Sequence, residues 1–222
     1  MVRVKICGLK SREDLQASVD SGADAVGVVV YSPRSPRNLS LEEAGRILSA
    51  VPPFVSSVLV SATTSPDAIV RATERLNPSA VQLHGITQPS AVKHVASTLK
   101  SQVIGVLAWN PSQKEEELKE KAKKLAEVAS AVLFDSTTAE GYGGTGCPVS
   151  WKVARMVGEA VRPKPFILAG GLTAGNVQEA IAAVQPYAVD VSSGVESSPG
   201  VKDYSQIQAF IRKAKTAGVE TG

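Results

Sequence analysis

The chain has 222 residues, 43% hydrophobic and 20% charged, a balance that suits one folded domain and argues against disorder. Its formal net charge of +3, from 24 basic and 21 acidic residues, is too slight for a nucleic-acid groove but suits an anionic small molecule. Two cysteines make no disulfide framework, no apolar stretch follows a basic N-terminus, and no apolar run approaches the roughly 18 residues of a membrane span; the expectation is a cytoplasmic protein that contacts neither nucleic acid nor membrane.

Taken in chain order, strand-like runs fall near 2–7, 25–30, 54–61, 79–84, 103–108, 131–135, 165–169 and 187–192. Helical patterns fill the gaps near 11–21, 41–50, 66–76, 89–99, 112–129, 148–160, 174–184 and 203–217. Ser11 followed by Asp14, Ser40 followed by Glu43, and Ser65 before Pro66 mark helix starts, and Asn176 is read as sitting just inside the seventh helix. The charge run over 114–124 reads as a solvated helix face. No linker breaks the alternation. Parallel strands need crossovers, and a helix after every strand supplies them, so residues 1–222 are expected to form a single α/β domain, a closed (β/α)8 TIM barrel. An open doubly wound sheet is the rival.

Barrel enzymes keep their chemistry at the C-terminal strand ends, so the chain can be read as a ring. In the first strand, period-two geometry puts Val2, Val4 and Ile6 on one face and Arg3, Lys5 and Cys7 on the other, which sends a lysine and a thiol inward. After the second strand, the loop 31–38 carries Arg34 and Arg37, either a carboxylate clamp or ordinary surface charge, with Arg37 the better candidate. The fourth strand turns Gln82 and His84 inward, as pocket liners or as satisfied core groups. The sixth ends in Asp135, a potential acid or a turn cap, followed by Gly143-Gly144-Thr145-Gly146. Gly170-Gly171 after the seventh strand and Ser192-Ser193-Gly194 after the eighth read as a phosphate cradle or as tight turns; Asp190 also alternates inward. No cluster has metal-ligand spacing and no nucleotide motif is present, so neither a metal nor a nucleotide is called for.

Taken together, Lys5-Ile6-Cys7-Gly8, Ser35-Pro36-Arg37, Gln82-Leu83-His84-Gly85, Asp135 with 143–146, Ala169-Gly170-Gly171-Leu172 and the run 189–196 resemble the phosphoribosylanthranilate isomerases of tryptophan biosynthesis, across essentially the whole chain. The resemblance implies a cofactor-free Amadori rearrangement of a small phosphorylated substrate; the chain itself leaves a monomer or a homodimer open. It also implies that Asp135 is the general acid that opens the furanose ring, Cys7 the general base at the adjacent ribose carbon, and Arg37 the ligand of the anthranilate carboxylate. Gly170, Gly171, Ser193 and Gly194 would hold the phosphate, with Gly144, Ser192, His84 and Asp190 completing the substrate site.

The chemistry asks Cys7 for a lowered pKa, which Lys5 one pleat below would supply unless Asp190 neutralises it. It asks Asp135 for partial burial or a charged neighbour. The chain departs from the family pattern at 28–31, 60–63 and 105–108, where phenylalanines, an asparagine-bearing turn and a lysine are usual; Cys147 matches no role. Another sugar-phosphate isomerase or epimerase, or a non-catalytic metabolite-binding barrel, are the alternatives; the pairing of a thiol with a carboxylate disfavours both.

Overall fold

The computed structural model describes residues 1–109, 112–135 and 151–217. Eight parallel strands form the barrel: β1 (Arg3–Cys7), β2 (Ala25–Val30), β3 (Ser56–Ser61), β4 (Ala80–Leu83), β5 (Gln102–Ala108), β6 (Ala131–Asp135), β7 (Phe166–Ala169) and β8 (Ala188–Val191). The helices are α1 (Arg12–Asp20), α2 (Leu41–Leu48), α3 (Pro66–Leu76), α4 (Pro89–Thr98), α5 (Glu115–Val128), α6 (Trp151–Ala160), α7 (Val177–Val184) and α8 (Tyr204–Thr216). Each strand pairs with its chain neighbours, and β1 pairs with both β2 and β8, which closes the ring and disposes of the open sheet.

Alternation along the strands separates two cores. Val4 and Ile6 of β1, Val26 and Val28 of β2, and Val132 and Phe134 of β6 face outward beneath the helices. Cys7, Val58, Val60, Ile104, Val106, Leu133 and Ile167 fill the barrel interior with the smaller Ala80, Ala169 and Ala188. In β2 the interior position opposite Cys7 is Gly27, where an added Cβ would stand 3.2 Å from Cys7 Sγ and 3.2 Å from Lys5 Nζ. The missing side chain is the space in which the β1 thiol and ammonium sit.

The expected helix starts hold where a side chain satisfies an orphan amide. Ser11 accepts from the Asp14 amide, Ser40 and Glu43 form a reciprocal capping box, and Ser65 accepts from Ala68. The seventh helix starts later than its pattern suggested, at Val177 rather than 174. Asn176 is its N-cap residue, but its side chain faces backwards, accepting from the Thr173 amide at 2.9 Å and donating to the Gly171 carbonyl at 3.0 Å. It therefore braces the turn after β7 instead of extending the helix. The short strand Asn38–Leu39 and the antiparallel pair Glu196–Ser198 with Val201–Lys202 were not foreseen either. Among the described residues, no helix is long and apolar enough to cross a membrane.

Candidate active site

Cys7 ends β1 inside the barrel mouth, 7% exposed. Burial pushes its thiol up from the ordinary value; the Lys5 cation pulls down against it, Asp190 pushes up again, and Lys202 pulls down. The lowered thiol asked of Lys5 is therefore not the net outcome, because desolvation outweighs the cation and Asp190 sits on that cation. Lys5 Nζ donates to Asp190 Oδ1 at 2.9 Å, with both side chains buried and both residues in register across the β1–β8 seam. Burial alone would lower the Lys5 ammonium, yet Asp190 and Cys7 hold it above the ordinary lysine value.

Asp135 ends β6, its side chain 16% exposed, and lies 3.8 Å from His84 Nε2 at the end of the β4 turn. His84 is itself 38% exposed at its side chain, so it lines the mouth rather than filling the core. Below it, Gln82 is buried with its Oε1 lacking a hydrogen-bond partner among the described residues. In β5, Ala108 stands in register with Asp135, so the departure noted there leaves an uncharged neighbour.

The turns after β7 and β8 interlock. Gly170 and Gly171 adopt positive φ of 86° and 63°, the left-handed region that favours glycine. A Cβ on Gly194 would stand 1.9 Å from the Leu172 carbonyl oxygen, so only glycine lets the second turn lie against the first. Ser193 and Gly194 open a 3-10 turn, and the buried Ser192 Oγ has no partner among the described residues. Gly8, at the foot of the same mouth with φ of 76°, lies where a Cβ would meet Ser192 Oγ at 2.9 Å and Arg37 Cδ at 2.6 Å. The mouth thus gathers the ends of β1, β2, β7 and β8 closely.

Arg37 does not lie loose on the surface. It donates through Nε to Glu196 Oε1 at 2.7 Å and through Nη2 to Glu196 Oε2 at 2.6 Å, and Lys202 Nζ donates to Glu196 Oε1 and to the Ser192 carbonyl, each at 2.9 Å. Burial alone would raise the Glu196 carboxyl, but Arg37 and Lys202 hold it below the ordinary carboxylate range. Burial lowers Lys202, and Glu196 only partly offsets this. Glu196 lies in the run 189–196 without a role legible from its position, and Lys202 carries no motif or strand-end signal at all. Gly144, with the rest of the 143–146 loop and Cys147, lies outside the described residues.

The arrangement offers a thiol and a carboxyl group for proton transfers at two strand ends, a surplus cation for an anionic substrate, and glycine turns that permit close backbone approach. Among the described residues there is no group of three or more His, Cys, Asp or Glu able to hold a metal ion.

Comparison with known proteins agrees over nearly the whole chain. Residues 4–213 match the family model described as N-(5'phosphoribosyl)anthranilate (PRA) isomerase. The N-(5'-phosphoribosyl)anthranilate isomerase of Methanocella arvoryzae is 44% identical over 217 residues, covering 97% of this chain and 99% of its own. The phosphoribosyl anthranilate isomerase structure from Thermotoga maritima superposes with a TM-score of 0.86 at 41% identity, covering 97% of this chain and 99% of that one. A phosphoribosyl anthranilate isomerase in complex with reduced 1-(o-carboxyphenylamino)-1-deoxyribulose 5-phosphate gives a TM-score of 0.82 at 38% identity, again with 97% and 99% coverage.

Proposed function

The chain belongs to the N-(5'-phosphoribosyl)anthranilate isomerase family, and from that membership we propose how its own strand-end residues carry the reaction. The enzyme isomerises phosphoribosylanthranilate to 1-(o-carboxyphenylamino)-1-deoxyribulose 5-phosphate, an Amadori rearrangement in tryptophan biosynthesis. Three demands follow from the substrate: a proton delivered to the furanose oxygen, a proton removed from the neighbouring ribose carbon, and a hold on two anionic ends.

Asp135 protonates the ring oxygen as the anilino nitrogen lone pair breaks the carbon–oxygen bond, leaving a protonated Schiff base. Cys7 then removes the proton from C2, the electrons neutralise the imine nitrogen, and the resulting enolamine becomes the ketone by gaining a proton at C1 and losing the one on its C2 hydroxyl. The raised Cys7 thiol is compatible with this order of events, because the Schiff-base cation forms beside Cys7 on ring opening and favours the thiolate at that moment. Proton transfers suffice, and no cofactor is invoked. Arg37 takes the anthranilate carboxylate, while the backbone of Gly170, Gly171, Ser193 and Gly194 takes the phosphate, with Ser192, His84 and Gly144 around the ring. We assign Asp190 to Lys5 rather than to direct substrate contact, since their 2.9 Å pair consumes its charge inside the barrel.

The observation that carries this reading is the placement of an inward thiol and an inward carboxylate at the C-terminal ends of β1 and β6, around a mouth whose late turns are glycine-interlocked. Loss of anthranilate fluorescence on turnover is the direct assay. Cys7→Ala and Asp135→Asn should each lower kcat by about 10²–10⁴-fold while still binding the reduced product analogue. Near-normal turnover in either variant contradicts the assigned roles.

A further inference from the structure

Arg37 has five N–H donors, and the structure shows which are already engaged. The Nε and one Nη2 hydrogen form a side-on, bidentate contact with Glu196, which among the described residues leaves the Nη1–Nη2 end of the fork for a second carboxylate. The side chain of Glu196 is 3% exposed and that of Arg37 12%, so the pair is held in packed surroundings rather than in solvent. An acidic residue against a substrate-binding arginine would ordinarily cancel the charge the substrate needs. Here Lys202, whose side chain is fully buried, bonds the same Glu196 oxygen at 2.9 Å. Two cations and one anion leave one positive charge, and Arg37 is the member at the mouth. Backbone holds the assembly in register: the Gly200 amide donates to Glu196 Oε2 at 3.1 Å, and a Cβ on Gly200 would stand 2.7 Å from the Pro36 carbonyl. The hairpin after β8 is thereby locked against the loop that carries Arg37.

We propose that Glu196 and Lys202 are positioning residues for Arg37: Glu196 fixes the guanidinium so that its free end faces the substrate carboxylate, and Lys202 balances Glu196 so that the guanidinium keeps its charge. This rests on the reading of Arg37 as the carboxylate ligand, and it adds the substrate contact as end-on and pre-oriented. The same Lys202 ammonium reaches the Ser192 carbonyl, so the clamp is built onto the backbone of the β8 turn and couples the two anion-binding ends of the mouth.

The test uses two ligands with the full chain: the reduced product analogue, and its counterpart with phenyl in place of o-carboxyphenyl. Binding is measured by titration calorimetry, and the ratio of the two dissociation constants reports preference for the carboxylate. Glu196→Gln, which keeps the side-chain volume, should lower that preference about tenfold, within the range of coupling in one hydrogen-bonded network. Lys202→Gln should also lower it, because an unbalanced Glu196 then neutralises Arg37. In an Arg37→Met background, Glu196→Gln should cause no further change in preference. A merely structural role for Glu196 would weaken both ligands alike. If Arg37→Met itself leaves the preference intact, the reading of Arg37 fails. If Arg37→Met abolishes it while the preference stays or rises in whichever of Glu196→Gln and Lys202→Gln folds, the positioning proposal is overturned.

Discussion

Replacing Lys5 by methionine tests the pair that the barrel buries beside its thiol. The substitution keeps a long flexible stem but removes the ammonium 2.9 Å from Asp190, leaving a carboxylate whose side chain is only 8% exposed. At an effective dielectric of about 20, a unit pair at that distance attracts by roughly 6 kcal/mol, and breaking one member of a buried pair is commonly measured at about 3–5 kcal/mol. For a chain of this length each kcal/mol moves Tm by about 2–4 °C, so a fall on the order of 6–20 °C is expected. Guanidinium unfolding followed by circular dichroism supplies the free energy. The double variant Lys5→Met with Asp190→Asn, which carries neither charge, should recover most of the loss. A second readout concerns Cys7, for which Lys5 is the largest influence opposing burial. The pH profile of iodoacetamide alkylation on folded Lys5→Met should therefore move to higher pH. A single variant within about 1 kcal/mol of wild type, a double variant as unstable as the single, or an unmoved alkylation profile would each refute the reasoning.

Two further outcomes follow from the same geometry. In Gly194→Ala the new methyl stands 1.9 Å from the Leu172 carbonyl, so the β8 turn must shift away from the β7 turn; KM should rise about tenfold or more, with stability down by roughly 1–3 kcal/mol, and steady-state kinetics with an unchanged KM would remove the interlocked turns from the phosphate site. Because the folded Cys7 thiol is raised, it contributes stability below the ordinary thiol value, and that contribution is lost as pH rises through the folded value; denaturation midpoints taken from neutral pH to about pH 10 should therefore fall less steeply in Cys7→Ala than in wild type, and parallel curves would contradict the burial argument.

Much of the fold was legible because its signals are short-range. Alternation in β1 separates Val4 and Ile6 from Lys5 and Cys7 without reference to anything distant, and Ser11, Ser40 and Ser65 cap helices within three residues of themselves. Asn176 was misplaced for a related reason: a cap residue can bond forward to its helix or backward to its turn, and the choice depends on the Gly171 carbonyl that the turn after β7 presents. The strand-end positions of Cys7 and Asp135 were readable as soon as the eightfold alternation was counted.

Which charges meet was not readable. Lys5 and Asp190 lie 185 residues apart, Arg37 and Glu196 159 apart, and each pair exists only because the ring closes between β1 and β8 and brings the β2 loop over the seam. The eightfold alternation and the inward-facing thiol and carboxylate were readable in the chain, since these follow from side-chain period and local turn chemistry, whereas the choice of a closed barrel over an open sheet was made by the pairing of β1 with β8. That the thiol is raised rather than lowered, that Lys5 is claimed by Asp190, and that Arg37 is held by Glu196 emerge only once the chain is folded. Desolvation and charge pairing depend on what surrounds a group in space, and those surroundings come from distant parts of the chain.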